Sequence, residues 1–212
     1  MTQRTLILLA ALVPILAGCV GAAVVGVGAG ALVYTDRRQA DTILTDESIE
    51  IRAASRISEK FKDQVNINVT SYNRTVLLTG QVPNDAVKTE VETIAAGVAN
   101  VKRLQNELIV GPVSSLSSRA RDAYITSNVK ARFIDSQQFS TNHVKVVTEN
   151  GMVYLLGLIT QREADAAVQV ARTSAEVRKV IRVFEIISEA EAKRVDPTLP
   201  KPDKTAKEQP AS

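Results

Sequence analysis

The sequence predicts an α+β protein made of two tandem αββαβ units, each a three-stranded mixed sheet with two helices on one face. The main observation is an internal repeat, which is sought before any single motif because it sets the number of domains. The stretch VTSYNRTVLLTGQV from Val69 aligns with VVTENGMVYLLGLI from Val146 at an offset of 77 residues. Each copy also shows the same order of apolar patterns: helix, strand, strand, helix, strand. We therefore expect two copies of one small domain.

In the first copy, an apolar pattern marks every element. A stripe at helical spacing is followed by two runs with the alternation of strands, which meet at a turn at Asn73 and Arg74. A second helical stripe and a last strand from about Val101 to Val110 complete the copy. Two helices on one face of a sheet bury both stripes, so a unit of this size has a core. The two stripes are Ile49, Ala53, Ile57, Phe61 and Val87, Val91, Ile94, Val98.

The second copy repeats these elements. Asn150-Gly151 lies between its first two strands and is the strongest short signal for a hairpin turn. Gly111-Pro112, followed by VSSLSS, marks the junction between the copies. We assign domain 1 to residues 46–112 and domain 2 to residues 113–190. The helical stripes of domain 2 are Ile125, Val129, Phe133 and Ala164, Val168, Ala171, Ala175.

The amino-terminal region is interpreted as a lipoprotein signal peptide. A positive start and an almost wholly apolar run lead to small residues that directly precede a cysteine. The string Leu16-Ala17-Gly18-Cys19 is similar to the bacterial lipobox, in which the cysteine sulfur receives a diacylglycerol. We expect cleavage to remove residues 1–18, lipidation of Cys19, and a Gly/Ala-rich segment and polar tether over residues 19–45.

Two other interpretations of this region stay open. No charge occurs between Arg4 and Asp36, so the segment could be an uncleaved membrane-spanning helix, which needs about 20 apolar residues. Pro14 and the glycines from Gly18 to Gly30 make such a helix unfavourable. The other interpretation is an ordinary cleaved signal peptide.

Composition excludes several function classes. The chain has a single cysteine and a single histidine, His143, which are too few for a zinc site. We therefore expect no metal and no cofactor. The net charge of +3 falls to about +2 without the signal peptide, which is no strong field for nucleic acid, and we expect no nucleic-acid partner. Residues 191–212 are rich in proline, lysine and acids, a composition typical of a disordered tail.

The repeated motifs resemble a known family. Each copy has a strand that ends in hydrophobic-x-Gly, Leu78-Thr79-Gly80 and Leu155-Leu156-Gly157. These motifs, the lipobox and the run VKVVTENGMVYLLGLITQREADAA from Val144 resemble the dual-BON outer-membrane lipoproteins. The resemblance implies a periplasm-facing lipoprotein that supports envelope integrity, recognises anionic phospholipid such as phosphatidylglycerol or cardiolipin through domain 2, and is enriched at the division site. Val20 fits outer-membrane sorting, because the retention signal of inner-membrane lipoproteins is usually an aspartate at that position.

The internal repeat gives a separate indication of a lipid contact. On the side of the first helix away from its core stripe, domain 2 has Tyr124, Ala131 and Ile134, where domain 1 has serines. Such an apolar patch usually marks a contact, and basic residues beside it suit acyl chains and anionic headgroups. The equivalent serines are Ser48, Ser55 and Ser58, and the predicted accessory residues are Arg121, Lys130, Arg132 and, in the next loop, Phe139.

Alternatives to lipid binding stay open. The same helix face could pack against domain 1, or the domains could form an adaptor that binds another envelope protein. Catalysis is not expected. The carboxylates of Asp135, Glu149 and Glu163 lie at helix ends and turns and form no matching pair for general acid and base catalysis. His143 is interpreted as a surface or packing residue at the start of a strand.

Overall fold

The first helix, α1, spans Ala40–Phe61 and buries the predicted stripe against the sheet of domain 1. The computed structural model describes residues 36–196. The predicted signal peptide, Cys19 and the tail beyond Asp196 lie outside the described residues. Helix α1 begins within the segment that the sequence analysis assigns to the polar tether.

Domain 1 continues with four short strands and one more helix. Strand β1 (Asn66–Tyr72) pairs antiparallel with β2 (Thr75–Val82), and α2 (Asp85–Ala96) leads to β3 (Arg103–Asn106), which pairs parallel with β2. The predicted last strand is interrupted before β4 (Ile109–Val110), which also pairs with β2. The interruption occurs where the Leu108 side chain, 2% exposed, packs into the core.

Domain 2 has the same order of elements. Helix α3 spans Leu116–Ser136, and strands β5 (Val144–Glu149) and β6 (Met152–Ile159) form the hairpin. Helix α4 (Gln161–Arg172) connects to β7 (Lys179–Ile186), which pairs parallel with β6. Helix α5 (Glu189–Val195) follows, across the predicted boundary of the tail. Two mixed sheets, each with helices packed on one face, confirm the predicted fold class.

A buried aspartate on each first helix fastens the hairpin of its own domain. Asp46 accepts hydrogen bonds from the amides of Asn73 (2.8 Å) and Arg74 (2.7 Å). Asp122, 76 residues later, accepts them from Asn150 and Gly151, both at 2.8 Å. The turn residues have positive φ, as a tight hairpin turn of this kind requires. Neither aspartate is predicted from the apolar patterns of the sequence.

The glycines of the repeated hydrophobic-x-Gly motif allow close approach of the neighbouring strand. A Cβ on Gly80 would lie 2.0 Å from the carbonyl oxygen of Asn66. A Cβ on Gly157 would lie 2.5 Å from the carbonyl oxygen of His143, at the equivalent position in domain 2. Both distances are far below van der Waals contact, so the motif needs glycine for a steric reason.

The two domains pack together through the faces of their sheets that are not covered by helices. Each domain has its own core between helices and sheet. A third buried cluster combines Tyr72 and Leu77 of domain 1 with Tyr154 and Leu156 of domain 2. At its edge, Glu149 accepts a hydrogen bond from the side chain of Gln81 at 2.6 Å. The described chain is therefore a stack of helices, sheet, sheet and helices.

Candidate membrane interface

Helix α3 is held rigidly in domain 2 and leaves one face open to solvent. Ser115 caps its amino terminus by accepting a hydrogen bond from the Ser118 amide at 3.1 Å. Ile125, Val129 and Phe133 are at most 1% exposed and form part of the core. Because one side of α3 is packed into the core at every turn, the orientation of its solvent-exposed side is fixed.

The predicted contact residues lie on this open side. The side chains of Tyr124 and Ile134 are 55% and 63% exposed, and Lys130 and Ala131 are exposed as well. The alternative that this face packs against domain 1 is wrong, because the domain interface is formed by the sheets. Large apolar side chains that are this exposed usually mark a contact with another molecule.

Three of the predicted accessory residues make contacts within domain 2. Arg121 forms an ion pair with Glu176 at 2.9 Å, with both side chains largely in solvent. Arg132 donates hydrogen bonds to the Val170 carbonyl (3.1 Å) and to Ser174 Oγ (2.9 Å), which tie α3 to α4. The half-buried ring of Phe139 packs on the core. Arg132 and Phe139 therefore serve the packing of the domain itself.

The open side of α3 extends further than the sequence analysis proposed. Leu116 is 77% exposed, and Ala120 and Ala123 are also exposed. At 100° per residue, these three side chains lie within about 60° of Ile134 on the helix surface. The sequence indicates this extension, because Leu116, Ala120 and Ala123 have the i, i+4, i+7 spacing of one helix face. We call the set Leu116, Ala120, Ala123, Tyr124, Ala131 and Ile134 the outward face.

The equivalent helix of domain 1 is less polar than the serine comparison indicates. Leu44 and Ile51 on α1 are 66% and 62% exposed. Ser48 lies between them on the same side of the helix. Leu44 is not predicted as a surface residue of α1, because it lies in the segment expected to form the tether. Both first helices therefore expose apolar side chains, at different positions along their length.

A buried ion pair joins the start of the described chain to domain 2. Arg37 is 7% exposed, and its guanidinium donates to both carboxylate oxygens of Glu163 at 2.7 and 2.9 Å. Although burial alone would raise the pKa of Glu163, hydrogen bonds from Arg37 and the Thr160 amide lower it below the ordinary 4.5. The next residue, Arg38, pairs with Asp46 of domain 1 at 2.8 Å. Residues 36–38, which we call the strap, thus contact both domains.

His143 lies near this ion pair, in a turn that directly precedes β5. It is 3% exposed, and its Nδ1 atom has no hydrogen-bond partner among the described residues. Burial, and after it the positive charge of Arg37, lowers the pKa of His143 below 6.5. The ring is therefore a neutral packing group at neutral pH.

Within residues 36–196, we find no cluster of three or more His, Cys, Asp or Glu side chains that could hold a metal ion. In the same range, no helix combines the length and the apolar character that crossing a bilayer requires.

Comparison with known proteins agrees with the repeat and with the fold. The family model of the BON domain matches residues 45–112 and, a second time, residues 121–188. The chain belongs to the BON domain family. Both copies of the repeat are therefore BON domains, and the hairpin, the buried aspartate and the glycine motif recur in each of them.

Three curated proteins are similar to this chain over most of its length. The chain is 39% identical over 175 residues to the outer membrane lipoprotein DolP of Haemophilus influenzae, covering 81% of this chain and 90% of that protein. It is 36% identical over 154 residues to the 21 kDa hemolysin of Actinobacillus pleuropneumoniae, covering 72% and 79%. It is 28% identical over 157 residues to the osmotically-inducible protein Y of Escherichia coli, covering 72% and 78%.

Proposed function

We propose that this chain is an outer-membrane lipoprotein that faces the periplasm and binds anionic phospholipid through the outward face of α3. It is held in the membrane by lipidation of Cys19 and supports outer-membrane integrity, with enrichment at the division site. The exposed Tyr124 and Ile134 on a rigid helix carry the proposal. The similarity to an outer membrane lipoprotein over most of the chain supports the location.

The chemistry of the outward face suits the boundary between acyl chains and headgroups. Its apolar side chains would enter the bilayer, and transfer of one tyrosine or isoleucine side chain out of water is worth roughly 1.5 to 3 kcal/mol. Lys130 and Arg121 flank the face and would remain at the headgroups, where each basic residue adds about 1 kcal/mol. We propose no catalytic role for the domains, because the buried carboxylates of Asp46, Asp122 and Glu163 accept hydrogen bonds that fasten elements together.

The competing function is that of a non-enzymatic adaptor that binds another envelope protein. The observation in its favour is the second apolar surface at Leu44 and Ile51 on α1 of domain 1. In that case the lipid anchor would only localise the chain, and the BON domains would bind the partner.

Vesicle co-sedimentation of the unlipidated chain, residues 20–212, separates the two functions. We expect binding to phosphatidylglycerol vesicles and little binding to phosphatidylcholine vesicles. Tyr124→Glu and Ile134→Glu should each weaken binding about tenfold or more, because they remove apolar contact and add repulsion. The matched control is Ser48→Glu, at the position of Tyr124 in domain 1, which should bind nearly as the unmodified chain does. If Tyr124→Glu stays folded and binds equally well, the adaptor function replaces the lipid one.

Lipidation is tested separately by the mass of the mature protein. Stable attachment takes more than one acyl chain, so the product of Cys19 processing should carry several and should fractionate with membranes. Cys19→Ala should abolish acylation, and whatever protein is still cleaved should leave that fraction. An intact mass that retains residues 1–18 and lacks acyl groups would contradict the anchor.

A further inference from the structure

Strand β7 is an edge strand of the domain 2 sheet. It pairs with β6 on one side, and residues 36–196 supply no strand for its other side, which we call the open edge. With eight residues it is longer than the other edge strands of the described chain, β1, β3, β4 and β5. An exposed edge presents a row of backbone amides and carbonyls without partners, to which another extended chain can pair.

The backbone hydrogen bonds identify which amides of β7 face the open edge. The amide of Ile187, directly after the strand, donates to the carbonyl of Ile159 on the β6 side at 2.9 Å. Every second residue of a strand directs its amide to the same neighbouring strand. The residues between them direct their amides to the open edge, where the described chain offers no acceptor: Arg182, Phe184 and Ile186.

The internal repeat shows that this long edge belongs to domain 2 alone. In domain 1 the equivalent strand is broken into β3 and β4, because Leu108 enters the core between them. The side chain of Asn106 accepts a hydrogen bond from the Leu108 amide at 3.2 Å within this break. Short and interrupted edge strands are poor templates for pairing. Strand β7 is continuous over its eight residues and has no such protection.

Apolar side chains on both faces of β7 are only partly buried. Val180 and Phe184 pack on the core of domain 2, and Ile181 and Val183 pack on the cluster between the sheets. All four remain partly exposed, whereas most side chains of the neighbouring strand β6 are fully buried. A further strand beside β7 would cover these side chains in the way that β7 covers those of β6.

The charges near the open edge indicate the chemistry of the added strand. Lys179, Arg182 and Glu185 lie on β7, and Arg103 of domain 1 lines a cleft of about 360 Å³ between β3 and β7. Glu185 is already paired with Arg103 at 3.3 Å. Lys179 has no ion pair within the described chain, and Arg182 has only an exposed one, at 3.5 Å from Asp165, which contributes little. Lys179 and Arg182 can therefore bind carboxylates of a partner.

The chain itself supplies no suitable strand for this edge. A second copy would bring the same excess of positive charge to β7. Residues 197–212 contain four prolines, which lack the amide donor that a strand ladder requires, and three lysines.

We propose that the open edge of β7 binds an extended segment of a partner protein, rich in acidic and apolar residues, as an additional strand of the domain 2 sheet. The unpaired amides specify a peptide backbone as the ligand, and the charges specify its side chains. This binding function uses β7 and is independent of lipid binding by the outward face of α3.

Hydrogen exchange with a model peptide tests the proposal. The probe is a ten-residue peptide of alternating glutamate and valine, added to the unlipidated chain of residues 20–212. The amides that face the open edge should exchange rapidly in the free chain and about tenfold more slowly at saturating peptide, because each then donates to the added strand. Those that face β6 should exchange slowly in both states. If saturating peptide leaves the exchange of Arg182 and Phe184 unchanged, the proposal is wrong.

Modified peptides separate backbone pairing from charge. Methylation of every second peptide nitrogen leaves one edge of the peptide able to pair, so binding should persist. Methylation of every peptide nitrogen keeps the charge but removes all donors, and binding should be lost. Retention of binding by the fully methylated peptide would overturn strand addition. A peptide of alternating lysine and valine should not bind, and equal binding of it would overturn the acidic partner.

Two substitutions at one position give the matched test on the protein. Arg182→Pro removes an amide that faces the open edge, and edge strands tolerate proline at such positions. The urea midpoint should therefore stay unchanged while binding of the peptide is lost. Arg182→Ala keeps the amide and should weaken binding only about fivefold, through loss of one charge. A folded Arg182→Pro protein that binds as the unmodified chain does would contradict the proposal, and if this variant unfolds, the methylated peptides still decide.

Sedimentation of the free chain tests the other occupant of the edge. We expect a monomer with rapidly exchanging amides at Arg182 and Phe184. A dimer in which these amides are already protected would assign the open edge to a second copy and overturn the partner segment.

Discussion

Asp122 shows how a single side chain can determine the geometry of a BON domain. Its two carboxylate oxygens each accept a hydrogen bond from one amide of the hairpin turn, and the side chain is 7% exposed. The turn amides point away from the strand ladder and would otherwise lack a partner. Helix α3, which carries the outward face, is thereby fixed to the β5–β6 hairpin.

We predict that Asp122→Ala lowers the free energy of unfolding by about 2 to 3 kcal/mol, because it removes two charge-assisted hydrogen bonds and leaves the buried amide of Gly151 unpaired. Urea unfolding measures the loss. Asp135→Ala on the same helix is the control, since Asp135 is exposed and the described chain offers it no partner, and it should change stability by less than about 0.5 kcal/mol. Equal stability of the two variants would contradict the fastening role.

Gly157 permits a second residue-scale test. We predict that Gly157→Ala destabilises the chain by about 1 to 3 kcal/mol, because its Cβ would lie 2.5 Å from the carbonyl oxygen of His143. Gly111→Ala is the matched control, since a Cβ there has no atom within 4 Å. Thermal unfolding measures the stability of both variants. A Gly157→Ala protein as stable as the unmodified chain would contradict the prediction, because it would show that the neighbouring backbone shifts away from the added methyl group at no cost.

His143 and Glu163 make stability depend on pH in the same direction. A group whose pKa is lowered on folding stabilises the fold above its unfolded pKa, and the stabilisation is lost as pH falls. The pKa of His143 is lowered from 6.5 by burial, so we predict that the free energy of unfolding begins to fall as pH drops below about 6.5. Below pH 4.5, protonation of Glu163 adds a second loss as its own lowered pKa is approached.

His143→Asn tests the first of these steps, because Asn66 is the residue at the equivalent position of domain 1. Chemical unfolding between pH 7.5 and 5.5 should show a smaller decline in the variant than in the unmodified chain. An identical decline in both proteins would assign the pH dependence to other groups.

At the scale of elements, the helices and strands follow from patterns that act over a few residues. The stripe from Ile125 to Phe133 predicts α3, and Asn150-Gly151 predicts the hairpin, because backbone conformation and side-chain spacing are local properties. The break between β3 and β4 was not predicted. It depends on Leu108 entering a core formed by residues distant in sequence.

At the same scale, a continuous apolar run was an unused signal. Strand β6, MVYLLGLI, does not alternate, since apolar side chains occupy both of its faces. A strand with this composition is buried on both sides, and here the second side contacts the other domain.

The serine comparison predicted a different surface, on helix α3. Its large apolar side chains are exposed to solvent, although α1 of domain 1 also exposes Leu44 and Ile51.

At the scale of the whole molecule, two domains with separate cores share a third apolar cluster. We predict that domain 2 alone, as residues 113–196, gives a dispersed nuclear magnetic resonance spectrum but is less stable than in the full chain. Its separation exposes Tyr154 and Leu156, which are fully buried in the complete molecule. A disordered fragment would show that the two copies form a single folding unit.

Leu156→Thr provides the matched measurement, because Thr79 is the equivalent residue of domain 1. In the full chain it should cost about 1.5 to 3 kcal/mol, since Leu156 is buried between the sheets. In isolated domain 2 it should cost far less and reduce binding of an apolar dye. Equal costs in both proteins would indicate that Leu156 is not used for contact between the domains.

The sequence by itself determined the number of domains, the order of their main elements and most residues of each core, although Ala175 of the predicted stripe lies beyond the end of α4 and is exposed. These depend on periodicity within one copy, and the repeat supplied the same pattern twice. Only the tertiary structure decided that the sheets form the interface, that Arg37 binds Glu163, and that the outward face stays open. The physical reason is separation in sequence: Arg37 and Glu163 are 126 residues apart, and no local pattern specifies which distant surfaces meet.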